Sequence, residues 1–200
     1  QGNWGAFSPD GQRVAYSGID QVLHIYDLQS GEDNAITTAS GIDIKWSPDG
    51  TQLAYVNTES QTGVTLNIIN TDGSGKKALV QHVQIKNIGF SPSDGNLYFT
   101  RQYLPENKDT TLHSVDPISG LITDLGTLPE PGAVFFDNTG FNLFIVPGRT
   151  GNVYLYNIAE NASTLFAQQN EFSGGIGSSG FMFGATQTGV PFKYDQLALV

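Results

Sequence analysis

Apolar and polar residues alternate along most of this chain in short runs, punctuated at regular distances by glycine, proline and aspartate. Ile44 and Trp46, Ile88 and Phe90, and Val134 and Phe136 each set two apolar residues two positions apart, the period of a strand with one buried face. Beyond a turn-forming stretch lies a compact apolar run: Val14-Ala15-Tyr16, Leu53-Ala54-Tyr55, Leu97-Tyr98-Phe99 and Leu143-Phe144-Ile145. A third strand then closes on Asp or Asn, over Leu23 to Asp27, Leu66 to Asn70, Leu112 to Asp116 and Val153 to Asn157. A weaker, more polar strand follows, such as Asn34 to Thr38 or Leu121 to Leu125, as suits an exposed sheet edge. No segment sustains a helical period, so the predicted class is all-β.

The turns repeat as well. Phe7-Ser8-Pro9-Asp10-Gly11 returns as Trp46-Ser47-Pro48-Asp49-Gly50 and as Phe90-Ser91-Pro92-Ser93-Asp94-Gly95. Worn copies stand at Phe136-Asp137-Asn138-Thr139-Gly140 and Ile176-Gly177-Ser178-Ser179-Gly180, so the closing glycines fall 39, 45, 45 and 40 residues apart. Proline presets φ at the first corner, Asp and Ser accept backbone hydrogen bonds, and glycine supplies the positive φ. This period is that of a four-stranded propeller blade. The expected fold is therefore a β-propeller of four-stranded antiparallel blades in a single domain. The blades fall near 1–40, 41–83, 84–128 and 129–170, with an incomplete fifth over 171–200. Leu197-Ala198-Leu199-Val200 is the expected third strand of that fifth blade, and no closing Asp or Asn follows it. A repeat array needs caps or ring closure, so the expectation is a segment of a larger propeller.

Two blades resemble known repeats. The first, from Phe7-Ser8-Pro9-Asp10-Gly11 to Ile25-Tyr26-Asp27-Leu28-Gln29-Ser30-Gly31, resembles a WD-type repeat, with Tyr26-Asp27 in place of the Trp-Asp pair. The second, with Trp46-Ser47-Pro48-Asp49-Gly50, Leu53-Ala54-Tyr55 and Asp72-Gly73-Ser74-Gly75, is similar to the TolB-type propeller repeat. The Gly-His pair of the WD network is absent, which favours the TolB-type group. Such a resemblance implies architecture and leaves activity to be argued from a site.

Composition narrows the partners. Nine Lys+Arg against nineteen Asp+Glu give a net charge of −10, which disfavours nucleic acid and anionic membrane surfaces. The absence of cysteine removes disulfides, zinc–thiolate sites and cysteine nucleophiles. It also fits an extracytoplasmic bacterial protein, periplasmic or at the cell surface. No apolar run approaches the roughly 20 residues that span a bilayer, so no direct membrane insertion is expected. The chain opens on Gln1, as expected of one that is processed or taken from something longer.

The tempting chemistry resolves into architecture. Asp10, Asp49 and Asp94 occupy equivalent turn positions and point around a ring rather than into one site. Asp72-Gly73-Ser74-Gly75-Lys76-Lys77 lacks the first glycine and the Ser/Thr of a phosphate loop and reads as a hairpin turn. His24 and His113 share one slot of the third strand, where a solvent-facing position is expected, and His82 stands apart. There is no Gly-x-Ser-x-Gly nucleophile motif. No catalytic residue, cofactor or metal is expected. Long connections at Asn57 to Thr62 and Gln102 to Thr110 break the repeat, and the second offers Tyr103, Glu106, Asn107 and Lys108 as a partner-binding loop. Asp43, Lys45, Lys86 and Asn87 are the polar residues of the innermost strands and the candidates to line a channel. The expected role is a non-catalytic interaction or scaffolding module for another protein. The alternatives are the substrate-gating propeller of a serine peptidase whose catalytic domain lies elsewhere, and an intracellular WD-type scaffold.

Overall fold

The computed structural model describes residues 5–39, 41–59, 63–81, 85–102, 110–128, 132–136, 142–147, 153–167, 173–176, 182–185 and 191–194. Blade 1 comprises β1 (Gly5–Phe7), β2 (Arg13–Ser17), β3 (Val22–Asp27) and β4 (Asp33–Thr38). Blade 2 comprises β5 (Gly41–Trp46), β6 (Gln52–Glu59), β7 (Gly63–Asn70) and β8 (Lys77–Val80). Blade 3 follows with β9 (Ile85–Phe90), β10 (Leu97–Gln102), β11 (Thr110–Val115) and β12 (Ile122–Leu128). Blade 4 holds β13 (Gly132–Phe136), β14 (Asn142–Pro147), β15 (Val153–Asn157) and β16 (Ala162–Ala167). A fifth sheet contains β17 (Ser173–Ile176), β18 (Met182–Ala185) and β19 (Pro191–Tyr194). Every sheet is an antiparallel meander in chain order, and β1, β5, β9 and β13 lie successively side by side. The first strand of each blade is thus the innermost.

Two expectations are corrected here. The third strand of the fifth sheet is Pro191–Tyr194, paired with Met182–Ala185, while Leu197 to Val200 lies outside the described residues. The nearer segment closes the hairpin through a shorter connection, which costs less chain entropy. The first half of the supposed loop from Asn57 to Thr62 is strand, since Asn57, Thr58 and Glu59 pair with Thr65, Val64 and Gly63, and residues 60–62 lie outside the described residues. Thr58, Val64 and Thr65 are β-branched and suit the pleated surface.

The core lies between blades rather than within them. Alternation sends Leu53 and Tyr55 toward blade 1, where they meet Ala15, Leu23 and Ile25. Their neighbours Ala54 and Val56 point the other way, into a cluster with Ile88, Leu97 and Phe99 of blade 3. Tyr98 and Leu112 in turn pack on Leu143, Ile145 and Tyr156 of blade 4. Both faces of a middle blade are therefore buried, which is why its central strands carry nearly continuous apolar runs.

A feature absent from the sequence reading recurs in all four complete blades. Leu23 pairs with Thr37 but His24 with Ala35, leaving Ile36 unopposed in the outer strand. The same one-residue bulge strands Leu79, Leu125 and Phe166 in β8, β12 and β16. Each bulged residue is apolar. Ile36, Leu79 and Leu125 pack on the inter-blade clusters, and Phe166 meets the Phe144 ring edge-on at 5.5 Å. The bulge re-aims one apolar side chain inward from the outermost strand of the blade.

Polar bonds tie the seams. Trp46 Nε1 donates to the Ala6 carbonyl at 2.9 Å, and Tyr156 Oη donates to the Leu125 carbonyl at 3.0 Å. Lys77 Nζ donates to the carbonyls of Pro117 and Ile118 at 3.0 and 2.7 Å.

Candidate binding site

The repeated turns are self-contained. Asp10 Oδ1 accepts from Ser8 Oγ and the Gln12 amide at 2.5 and 3.0 Å, and Asp49 Oδ1 accepts from Ser47 Oγ and the Thr51 amide at 2.6 and 3.1 Å. Gly11, Gly50 and Gly95 close these turns at φ of 71, 69 and 71°, a region that costs an L-residue its Cβ clearance. The hydroxyls of Ser8 and Ser47 hold the Asp10 and Asp49 carboxyls below their ordinary range. The turns after the third strands use the closing aspartate in the same way. Asp116 Oδ1 accepts from the Ile118 amide at 2.8 Å and Oδ2 from Ser119 Oγ at 2.8 Å, which keeps its carboxyl low. The segment from Asp72 to Lys76 is the turn between β7 and β8, with Ser74 holding the Asp72 carboxyl low.

Both kinds of turn stand at the same end of the meander, so neighbouring blades bring them together. Between blades 2 and 3 they enclose an open groove of about 490 Å³. Its apolar surface comes from Pro48, Phe90, Pro92, Pro117 and Ile118, with Ile118 89% exposed. Asp49, Asp94 and Asp116 bring three carboxylates to it, and Gln52, Gly95 and Asn96 are among its other polar lining. The aromatic ring at the end of an innermost strand and the aspartates were visible as repeat positions. Their convergence was not, because it depends on two different turns from two different blades.

The innermost-strand candidates behave differently from one another. Asp43 Oδ2 accepts from the Ile88 amide of the next blade at 3.2 Å, and Asp43 Oδ1 lies 3.2 Å from Lys45 Nζ. Burial pushes the Asp43 carboxyl up against the pull of Lys45, so this side chain stitches two inner strands. Asn87 Nδ2 donates to Thr100 Oγ1 at 3.2 Å, within its own blade. The Lys86 side chain lies outside the described residues, as do Tyr103, Glu106, Asn107, Lys108 and His82.

The histidines require a correction. His24 and His113 do share one register position, opposite Tyr16 and Phe99, but neither faces solvent freely. His113 is 3% exposed and stacks on Phe99 at 5.4 Å, while His24 stacks on Tyr16 at 5.1 Å. For His113 the cause is that blade 3 is covered on both faces, whereas His24 is only partly covered, by Tyr16 of its own blade. His24 also lies 3.1 Å from Asp20 and 3.3 Å from Asp33, and Tyr16 Oη donates to Asp33 at 2.6 Å, a bond that raises Tyr16 to about 12. Among the described residues no three His, Asp or Glu side chains are grouped to hold a metal ion.

Solved structures place the architecture. The nidogen/laminin complex matches with a TM-score of 0.68 at 18% identity, over 93% of this chain and 72% of that one. TolB from Acinetobacter baumannii matches at 0.66 and 17% identity, over 94% of this chain and 48% of that one. The chain is a β-propeller. It spans about half the length of that TolB, in keeping with the TolB-like repeat read from its second blade. The tricorn protease shares the propeller fold at a TM-score of 0.68 and 12% identity, over 95% of this chain and 24% of that one. No protein-family model matches the sequence.

Proposed function

We propose that this propeller is a non-catalytic module that binds another protein through the turn-bearing end of blades 2 and 3. The observation that carries this reading is the groove there, with apolar surface beside three carboxylates. Asp49 and Asp116 are held low by hydrogen bonds inside their own turns. A general acid near neutral pH needs the opposite perturbation, so these groups suit charge recognition better than proton transfer. The net charge of −10 directs the expectation to a partner with a basic surface, and away from nucleic acid. No helix of the described residues is long and apolar enough to cross a membrane. An extracytoplasmic bacterial setting is supported by the cysteine-free composition and the likeness to TolB.

A displayed library of random dodecapeptides, panned on the intact chain, tests the reading. Binders are expected whose affinity falls at least tenfold in the D49N/D94N/D116N variant and weakens with salt. Recovery only of binders indifferent to those substitutions would refute the groove as the contact surface. The substrate-gating reading rests on the shared fold with the tricorn protease, and it requires a hydrolase domain in the parent reading frame.

A further inference from the structure

Blade 1 supplies an internal control for the groove. Arg13 opens β2 and pairs with Asp27, as Gln52 opens β6 and pairs with Asn70. The Arg13 guanidinium crosses the seam to blade 2, where it lies 4.8 Å from the centre of the Trp46 ring. Its Nη2 donates to the Gly50 carbonyl at 3.0 Å. A planar cation on an aromatic face, bonded to a turn carbonyl, is a matched pair of interactions. One blade further on, the register equivalents of Arg13, Trp46 and Gly50 are Gln52, Phe90 and Gly95, and all three line the groove between blades 2 and 3. Among the described residues no Lys or Arg lines that groove. Gln52 turns back to its own blade, its Nε2 donating to Asn70 Oδ1 at 3.0 Å. Asp49, Asp94 and Asp116 remain beside the groove, while Lys77 is engaged with the carbonyls of Pro117 and Ile118.

Building on the interaction reading above, we infer that the seam between blades 2 and 3 is a receptor for an arginine side chain of a partner polypeptide. The guanidinium stacks on Phe90 as that of Arg13 lies over Trp46, reaches the turn at Gly95, and is balanced by the aspartates. Ile118, exposed at the mouth, receives an apolar residue beside the arginine. Guanidinium is favoured over ammonium because it is planar and weakly hydrated, and so stacks without losing its hydrogen bonds.

The test is an amide-resolved NMR titration of the full chain with N-acetyl-L-arginine amide and its neutral isostere N-acetyl-L-citrulline amide. The arginine probe is expected to give saturable shifts at the Gln52 side-chain amide, Gly95 and Asn96, and citrulline none. Q52R places the blade 1 solution into the groove and should weaken probe binding at least tenfold, as should F90A. R13Q should open a second site, reported by the Trp46 indole N–H, which the wild type does not show. Spectral dispersion verifies that each variant is folded, and Q52R and F90A decide the matter if R13Q is not. Shifts equal with citrulline, absent at Gln52 and Gly95, or unchanged in Q52R overturn the inference. Library peptides that need the three aspartates yet carry no arginine would overturn it while leaving the interaction reading standing.

Discussion

Replacing Trp46 by phenylalanine asks how much of the seam between blades 1 and 2 rests on one indole. Trp46 is 8% exposed, donates Nε1 to the Ala6 carbonyl at 2.9 Å, and carries Arg13 over its ring. The lost hydrogen bond is worth about 0.5–1.5 kcal/mol. Shrinking indole to phenyl leaves a void whose cost, at about 24 cal/mol per Å³ over roughly 35 Å³, is near 1 kcal/mol. The weaker ring face removes about 0.5 kcal/mol of cation–π attraction at a half-exposed site. The sum is about 2–3 kcal/mol. Urea unfolding followed by far-UV circular dichroism measures it, with the slope expected to stay constant while the midpoint falls. A cycle with R13Q isolates the part of the ring–guanidinium contact that phenyl does not reproduce, and a coupling of about 0.5 kcal/mol is expected. A W46F loss below about 0.5 kcal/mol together with zero coupling would refute the view that this seam is held by Trp46 and Arg13, and would remove the template for the arginine site.

Ser47 is 6% exposed, and its Oγ donates to Asp49 and accepts from the Gln52 amide. S47A should cost about 1–2 kcal/mol in the same urea assay by leaving that amide unmet. Asp43 has its carboxyl raised by burial, so as pH climbs past the unfolded value near 3.8 the unfolded chain ionises first and stability declines. D43N, titrated by urea between pH 4 and 7, should gain stability relative to the wild type as pH rises, and a constant difference would contradict the shift. His113 is held below its ordinary 6.5 by burial first and Arg101 second. The unfolded chain therefore takes the proton first on acidification, and stability is lost as pH falls from 6.5 toward the folded value. H113N should flatten that part of the thermal-unfolding profile, and an unaltered slope would count against it.

The turns were legible because they are local. Serine, proline, aspartate and glycine at fixed offsets specify hydrogen bonds two to five residues apart, and Ser8, Asp10 and Gly11 make the ones their chemistry predicts. The blades followed from the period of those turns. Contacts between repeats were not legible, since the alignment of repeats sets Arg13 beside Gln52 as equivalents and hides that Arg13 reaches into the next blade. The same blindness made His113 look exposed: alternation within one strand reports two faces but not that both are covered. The inward role of Ile36, Leu79, Leu125 and Phe166 was not legible, because a bulge breaks the alternation that would have shown it. The fifth sheet was misread at its end, where Leu197 to Val200 looked a better strand than Pro191–Tyr194.

The recurrent bulge also bears on how these molecules stay apart at high concentration. A four-stranded blade ends in a row of open amides and carbonyls, and a straight row invites a strand from a neighbouring molecule. With one unopposed residue inside each of β4, β8, β12 and β16, an incoming strand matched to one side of the bulge is out of phase with the other. Deleting Leu79 would straighten β8, setting Ala78 and Val80 in continuous register opposite Asn67 and Leu66, and would leave the regular edge that a foreign strand can extend. The same residue that fills the core thus guards the rim, and solubility and packing in this propeller are two readings of one irregularity.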